Sequence, residues 1–441
     1  MKSVALSIGE STPHGIAAGI ARLIATGELA PGERLPTVRA LAAELGVSPA
    51  TVSHAWQTLA SAGLITSRGR SGSYVRDEPR EWLPQRYRGI DAGDGARLDL
   101  SRGTPDPELL PDLGPALARL GARADTPNYQ AKPDIPELHD LLRASWPAPV
   151  ASITVVNGAL DAIDRALGTL VRFGDRIVVE NPTFPPFIDL IDHYGLQAVP
   201  VGLDAEGMRP DEFSAALGTT PAVVLMQPRA HNPTGTSTTP ARAAQLAGIL
   251  ARSRTAPDTI VIEDDHSGSI SSTPDVTLAT WLPERVLHVR SYSKSHGPDL
   301  RIGALGGPRP LVDRVVARRL LGPGWTSRMM QAILHELLTH PASIAQIDTA
   351  REVYAARQSA LADAVRAAGG WLAGGDGINT WLRVADERAA TLQLAAVGIR
   401  VAAGAPFQLG EQEAHVRVTV GALRDDVAAV GAALAVAQRA S

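Results

Sequence analysis

The sequence predicts an α/β protein in two parts: an N-terminal winged helix-turn-helix, then a larger domain on a mostly parallel sheet. Three observations carry that expectation. The first 76 residues hold three short helical patterns and a basic hairpin. Beyond them, short apolar β-branched runs alternate with helix-length segments, the pattern of parallel strands covered on both faces. Between the two parts, residues 77–97 are charged, contain Pro and Gly, and lack sustained periodicity, as in a flexible tether.

Each element of the first part has a local cause. Thr12-Pro13 starts a helix with a hydroxyl cap and a proline in the first turn, and Ile16, Ile20, Leu23 and Ile24 share one face. Residues 27–32, with Gly27, Pro31 and Gly32, break it. A second helix follows Pro36, with Val38, Leu41, Ala42 and Leu45 inward, and Gly46 closes it. Ser48 caps a third helix carrying Val52, Trp56 and Leu59. Leu64–Ser67 and Ser73–Val75 then bracket Arg68-Gly69-Arg70-Ser71-Gly72 as a hairpin. In a winged helix-turn-helix the third helix enters the major groove of double-stranded DNA.

Residues 27–42 read Gly-x-Leu-x-Pro-Gly-x-x-Leu-Pro-Thr-x-Arg-x-Leu-Ala, and Leu-Gly-Val-Ser-x-x-Thr-Val follows at 45–52. These motifs resemble the GntR family. The resemblance implies that Arg39, Ser48, Thr51, Ser53 and His54 face an operator, with Arg68 and Arg70 in the wing. The family often has arginine early in the third helix, where this chain has Pro49-Ala50.

Composition narrows the rest. The chain of 441 residues is long enough for two or three domains. No apolar run reaches the roughly 18 residues that span a bilayer, and the start lacks a signal peptide's apolar stretch. With no cysteine there are no disulfides, thiolate metal sites or cysteine nucleophiles. A cytoplasmic protein without membrane contact is expected, and no metal site. The net charge of -4 argues against a wholly basic nucleic-acid coat but allows one DNA-binding module on an acidic body.

Strands are expected at 153–156, 176–179, 198–201, 222–225, 259–262 and 286–289. Ligands bind beyond the carboxyl ends of strands in such sheets. Lys294 follows the last of these runs and is one of only three lysines, with Lys2 and Lys132. Lysine is the basic residue whose pKa falls far enough for imine chemistry, which arginine cannot perform. Asn157-Gly158-Ala159 opens a helix whose amides suit a phosphate. Phe184, Asn232 and the run Glu263-Asp264-Asp265-His266 follow other strands. Carboxylates at a buried strand end require a partner, and a pyridinium nitrogen is a suitable one. Ser291, Ser293 and Arg301 flank Lys294 as further phosphate ligands. Asp265 reads as a solvated or capping carboxylate, and His231, His288 and His296 as structural.

Asn232-Pro233-Thr234-Gly235 and Ser-x-Ser-Lys-x-x-x-Pro-x-x-Arg-x-Gly over 291–303 resemble the fold-type I aminotransferases. The likeness runs over 98–441, with a large subdomain at about 125–310 and a small one from the C-terminal part. It implies pyridoxal 5'-phosphate (PLP) as cofactor, joined to Lys294. Asp264 pairs with the ring nitrogen, while Asn232 and His266 serve the ring oxygen. Gly158, Ala159, Ser291, Ser293 and Arg301 hold the phosphate, and Phe184 stacks on the ring. Arg417 and Gly103 line the carboxylate pocket, and Tyr129 reaches a partner subunit's phosphate in a homodimer. The family commonly has tyrosine where Phe184 and His266 stand, and glycine before Ile135.

Joined to the winged helix, this architecture resembles the MocR regulators. The implied function is a PLP-dependent transcriptional regulator that senses an amino acid or amine by transimination at Lys294. Two alternatives stand beside it: an active aminotransferase with an accessory DNA-binding domain, and a regulator that senses PLP itself.

Overall fold

The computed structural model describes residues 8, 10–61, 64–67, 72–76, 86, 96–119, 129, 131–410 and 413–440. Arg68, Arg70 and nearly all of the expected tether at 77–97 lie outside them. The chain divides into two compact units, Met1–Gln85 with Asp192–Gly195, and Arg86–Ile191 with Leu196–Ser441.

In the first unit, α1 (Pro13–Ala25) is capped by Thr12, whose side chain accepts the Gly15 N–H at 3.0 Å. α2 (Val38–Leu45) is capped by Thr37 and ends at Gly46 in the left-handed region. Ser48 Oγ accepts the Thr51 N–H at 3.2 Å and so starts α3 (Pro49–Ser61). Such caps satisfy amides that have no partner within the helix. β1 (Ile65–Ser67) and β2 (Ser73–Val75) pair antiparallel, and Arg34 bridges to Tyr74. Ile16, Ile20, Leu41, Val52, Trp56 and Leu59 form the buried centre, as their spacing predicts.

The second unit opens with β3 (Leu98–Leu100) and builds its main sheet from eight strands. These are β4 (Ser152–Val156), β5 (Arg176–Asn181), β6 (Gln197–Asp204), β7 (Gly207–Met208), β8 (Val223–Met226), β9 (Ile260–Asp265), β10 (Val286–Ser291) and β11 (Gly303–Gly307). Their order is β4-β11-β10-β9-β8-β5-β6-β7. β10, β9, β8, β5 and β6 run parallel, while β4, β11 and β7 pair antiparallel. All six strands expected from the sequence are present.

β11 escaped the apolar-run criterion because its sequence is Gly-Ala-Leu-Gly-Gly. Packing explains the composition: a Cβ on Gly306 would lie 2.6 Å from the Trp146 ring, and one on Gly307 would lie 2.5 Å from the Val286 carbonyl oxygen. A second sheet has the order β12-β14-β13-β3, with β12 (Asn379–Arg383), β13 (Ile399–Ala403) and β14 (His415–Thr419). Its first-met strand, β3, comes from the start of the unit and lies parallel to β13, beside the C-terminal strands. Helices 341–367 and 427–437 pack on this sheet around Leu361, Leu382, Val416 and Leu434. Among the described residues no helix is long and apolar enough to cross a membrane.

Candidate functional site

Lys294 lies in the turn after β10, half-buried, and its Nζ donates to the Gly103 carbonyl oxygen. Withdrawal from water lowers its pKa to about 8; the Arg417 and Arg301 guanidiniums add to this, and Asp264 opposes it. Such a lysine yields a free amine at neutral pH far more readily than an exposed one.

Asp264, near the end of the neighbouring strand β9, is buried, and burial pushes its pKa up to about 7. Its Oδ2 accepts from Gln227 Nε2 at 2.8 Å, while Oδ1 has no hydrogen-bond partner within the chain. His266, just past β9, is also buried. Burial lowers its pKa to about 3, with the nearby Lys294 charge adding to this, so its ring is neutral. Its Nε2 lies 3.3 Å from Ser267 Oγ, and its Nδ1 is unpaired within the chain.

Arg417, on β14, reaches the same place from the second sheet. Nη1 donates to Asn232 Oδ1 at 3.2 Å, Nη2 donates to the Ser101 carbonyl oxygen, and the guanidinium lies 4.9 Å from the Phe407 ring centre. Burial lowers its pKa to about 9. Gly103 packs on its face, and its φ of +64° is a conformation that favours glycine. Lys294, Gly103, Arg417, Asn232 and Asp264 are thus one connected cluster.

Register assembles the phosphate candidates. Gly303 of β11 faces Ser291 on one side and Val156 on the other, so the ends of β10 and β4 flank it. A Cβ on Gly158 would meet Arg301 Nη2 at 3.4 Å, and Ser291 Oγ lies 2.9 Å from Ser293 Oγ. Gly158 (φ +94°) precedes the helix Ala159–Leu170, whose first turn has no side-chain cap. Free amides at a helix start, two hydroxyls and a guanidinium form a donor set for a phosphate.

Two further expected residues make aromatic contacts of their own. Phe184, just past β5, is half-buried and packs edge-on to Phe187 at 5.4 Å. Tyr129 is 85% exposed, with its ring 6.0 Å from Trp325. Asp265 is a correction: it is buried and bound by both arms of Arg229 (3.2 and 2.6 Å), although it also accepts the Gly268 N–H as a cap. Burial opposes its ionisation, but Arg229 and His288 prevail and hold its pKa near 2. A carboxylate in a parallel sheet requires such a cation, and alternation along β9 explains why Asp264 and Asp265 differ. His231, His288 and His296 are buried.

Gln227, Ser101 and Phe407 were not picked out by the sequence. Gln227 follows β8 directly, so the strand-end rule that selected Asp264 also covers it. Ser101 contributes a backbone oxygen, and Phe407 sits in a short 3-10 turn; neither carries a sequence signal.

In the first unit, Arg39, Ser48 and His54 are exposed, while Thr51 and Ser53 are half-buried along the start of α3. Ser48 Oγ and Thr51 Oγ1 are 2.8 Å apart, engaged in the cap. Arg34, not singled out before, lies against the wing: a Cβ on Gly72 would sit 3.2 Å from its Nε.

A winged-helix unit and an aminotransferase-type sheet with a strand-end lysine define a DNA-binding regulator built on an enzyme fold. Known proteins agree. The family "Aminotransferase class I and II" matches residues 97–432, and "Bacterial regulatory proteins, gntR family" matches 13–75. The chain therefore belongs to both families, the pairing found in MocR-type transcriptional regulators. It is 37% identical over 424 residues to the vitamin B6 salvage pathway transcriptional repressor PtsJ of Salmonella typhimurium, covering 95% of this chain and 96% of that one. It is 28% identical to the HTH-type transcriptional regulator TauR of Rhodobacter capsulatus, over 90% of each chain. Among solved structures, the α-aminoadipate aminotransferase LysN of Thermus thermophilus, complexed with N-(5'-phosphopyridoxyl)-L-leucine, superposes with a TM-score of 0.69 at 19% identity. That match covers 81% of this chain and 97% of LysN.

Proposed function

We propose that this transcriptional regulator binds PLP at Lys294 and that its affinity for operator DNA follows what occupies that site. The observation that carries the reading is the unpaired, buried Oδ1 of Asp264 beside a lysine of depressed pKa. An unpaired acceptor in such a place is costly, and a protonated ring nitrogen satisfies it. Lys294 supplies the amine that attaches the cofactor. Ser291, Ser293, Arg301 and the amides at Gly158 and Ala159 take its phosphate. Asn232 and the neutral His266 serve the ring oxygen. Bound PLP supplies an electrophilic carbon for amines.

An amino acid or amine effector would take the place of Lys294 there, and Arg417, packed against Gly103, would take its carboxylate. Lys294, its pKa lowered to about 8, would then serve as a proton acceptor in the site. An effector changes DNA affinity only as far as it binds the two states of the regulator differently. On the DNA side, Arg39 and the start of α3, from Ser48 to His54, face the operator, with Arg68 and Arg70 in the wing. Residues 77–97 serve as the tether, and the working form is a homodimer in which Tyr129 meets the partner's site.

A second reading, in which PLP itself is the signal, is favoured by the 37% identity with a vitamin B6 salvage repressor. One experiment separates the two. Operator affinity is measured for the cofactor-free protein, for the PLP-loaded protein, and for the loaded protein with a panel of amino acids. Lys294→Ala serves as control. A change only in the third state supports amine sensing, and a change complete in the second supports vitamer sensing. Equal affinity in all three states refutes both. Conversion of the cofactor's absorption by amino acids, reversed by keto acids, marks aminotransferase turnover.

A further inference from the structure

Three adjacent parallel strands end in a row of buried polar side chains: Glu180 of β5, Gln227 just after β8, and Asp264 of β9. The middle one makes three bonds. Gln227 Nε2 donates to Asp264 Oδ2 at 2.8 Å, its Oε1 accepts the Asn232 N–H at 2.9 Å, and its backbone N–H donates to Glu180 Oε2 at 2.8 Å. The two amide bonds have opposite polarity. A flipped amide would set oxygen against carboxylate and NH2 against N–H, so only one orientation works. The two residues it holds are those assigned to the ring nitrogen and the ring oxygen of PLP.

We infer that Gln227 is the positioning residue of the cofactor site, an amide clamp that fixes Asp264 and Asn232 together and so aims both at the PLP ring. The inference rests on the PLP reading above. A neutral amide is suited to the task. It holds Oδ2 without cancelling the carboxylate charge, which leaves Oδ1 and most of that charge for the ring nitrogen. A cation at this place would neutralise Asp264 within the protein, as Arg229 does for Asp265. Glu180, the second buried carboxyl, accepts the backbone N–H of Gln227 and lies 3.4 Å from His231 Nε2. Exchange of the side chain of residue 227 therefore leaves that contact in place.

The test uses Gln227→Glu, an isostere that keeps an acceptor for Asn232 but loses the donor to Asp264, together with Gln227→Leu and Asp264→Asn. PLP affinity and the pH profile of the bound cofactor's absorbance are read on the full-length chain, with thermal melting of the cofactor-free forms as a fold control. Expected is a loss of PLP affinity of roughly tenfold or more in Gln227→Glu, the equivalent of one hydrogen bond to a charged group. The midpoint of its absorbance profile also moves. Gln227→Leu, which also loses the acceptor for Asn232, costs more, while adding Gln227→Glu to Asp264→Asn costs little further affinity, because those two changes act on the one contact between residues 227 and 264. Affinity within threefold of wild type and an unmoved profile in Gln227→Glu overturn the inference alone, as do fully additive losses in the double variant. A lysine-bound cofactor band that never forms in the wild-type protein, or that persists unchanged in Lys294→Ala, overturns the PLP reading itself.

Discussion

A Cβ placed on Gly103 would stand 3.1 Å from Nη1 of Arg417 and 3.2 Å from Nη2, so the glycine and the guanidinium are in direct contact across two sheets' worth of chain. The contact follows from a φ of +64°, which turns the Ser101–Thr104 segment over the arginine and brings the Gly103 carbonyl oxygen to Lys294. Gly103→Ala therefore meets both a strained backbone, worth roughly 1–3 kcal/mol, and a crowded arginine. The expected outcome is a lower melting temperature together with weaker amino-acid binding by the PLP-loaded protein. Calorimetry and absorbance titration measure the two effects. An alanine variant with wild-type amino-acid affinity would show that Arg417 does not receive the carboxylate.

Asp264 makes a prediction about pH in the cofactor-free protein. Burial raises its pKa from 3.8 to about 7, so the folded chain keeps a proton in a window where the unfolded chain has lost it. This group therefore favours the fold most at acid pH, and its contribution is lost as pH rises through about 4 to 7, at up to about 1.4 kcal/mol per unit. Buried His231 and His266, lowered to about 3, act with the opposite sign, losing stability as pH falls below 6.5. Comparing Asp264→Asn with wild type cancels the histidines. Between about pH 5 and 8 the variant is expected to lose less stability than wild type in urea titrations. Parallel curves would mean that Asp264 ionises normally.

Much of this was legible in the sequence because the signals are local. Caps, glycine stops and helical spacing mark α1 to α3, and six apolar runs mark the strands of the main sheet. Lys294, Asp264 and Asn232 were visible because chemistry collects at strand ends. What escaped depends on contacts distant in the chain. The glycines of β11 answer to Trp146 and Val286, the clamp by Gln227 needs three neighbouring strands, and the pairing of Asp265 with Arg229 joins residues 36 apart. Period-two alternation places Asp264 and Asp265 on opposite faces but cannot say which face holds the arginine.

On the DNA side, Arg39 is exposed on α2. If it meets a phosphate, Arg39→Ala releases about one fewer counterion on binding. The slope of log affinity against log salt should then flatten by roughly 0.9, with similar losses on operator and random DNA. Fluorescence anisotropy over a salt series gives the slope. Loss confined to the operator would instead assign Arg39 to base reading.

Asp376 fastens the second sheet to the main one. Its Oδ1 accepts the Ser272 N–H at 2.7 Å and Ser272 Oγ at 2.9 Å. Its Oδ2 accepts Ser237 Oγ and Thr273 Oγ1, both at 3.0 Å, and Ser271 Oγ. Its own N–H donates to the Gly235 carbonyl oxygen at 2.8 Å, beside the Asn232 turn. Burial works against the charge, but these donors more than offset it and hold the pKa below the usual carboxylate range. Asp376→Ala leaves several buried hydroxyls and an amide without their acceptor, so a loss of roughly 2–4 kcal/mol is expected. Because the Asn232 turn is the neighbour, PLP affinity should fall as well. Asp376→Asn, which keeps one oxygen as acceptor, should fall between wild type and alanine on both measures. Equal melting temperatures for wild type and Asp376→Ala would mean that the two sheets are held by their apolar contacts instead, and that Arg417 reaches Asn232 without this anchor.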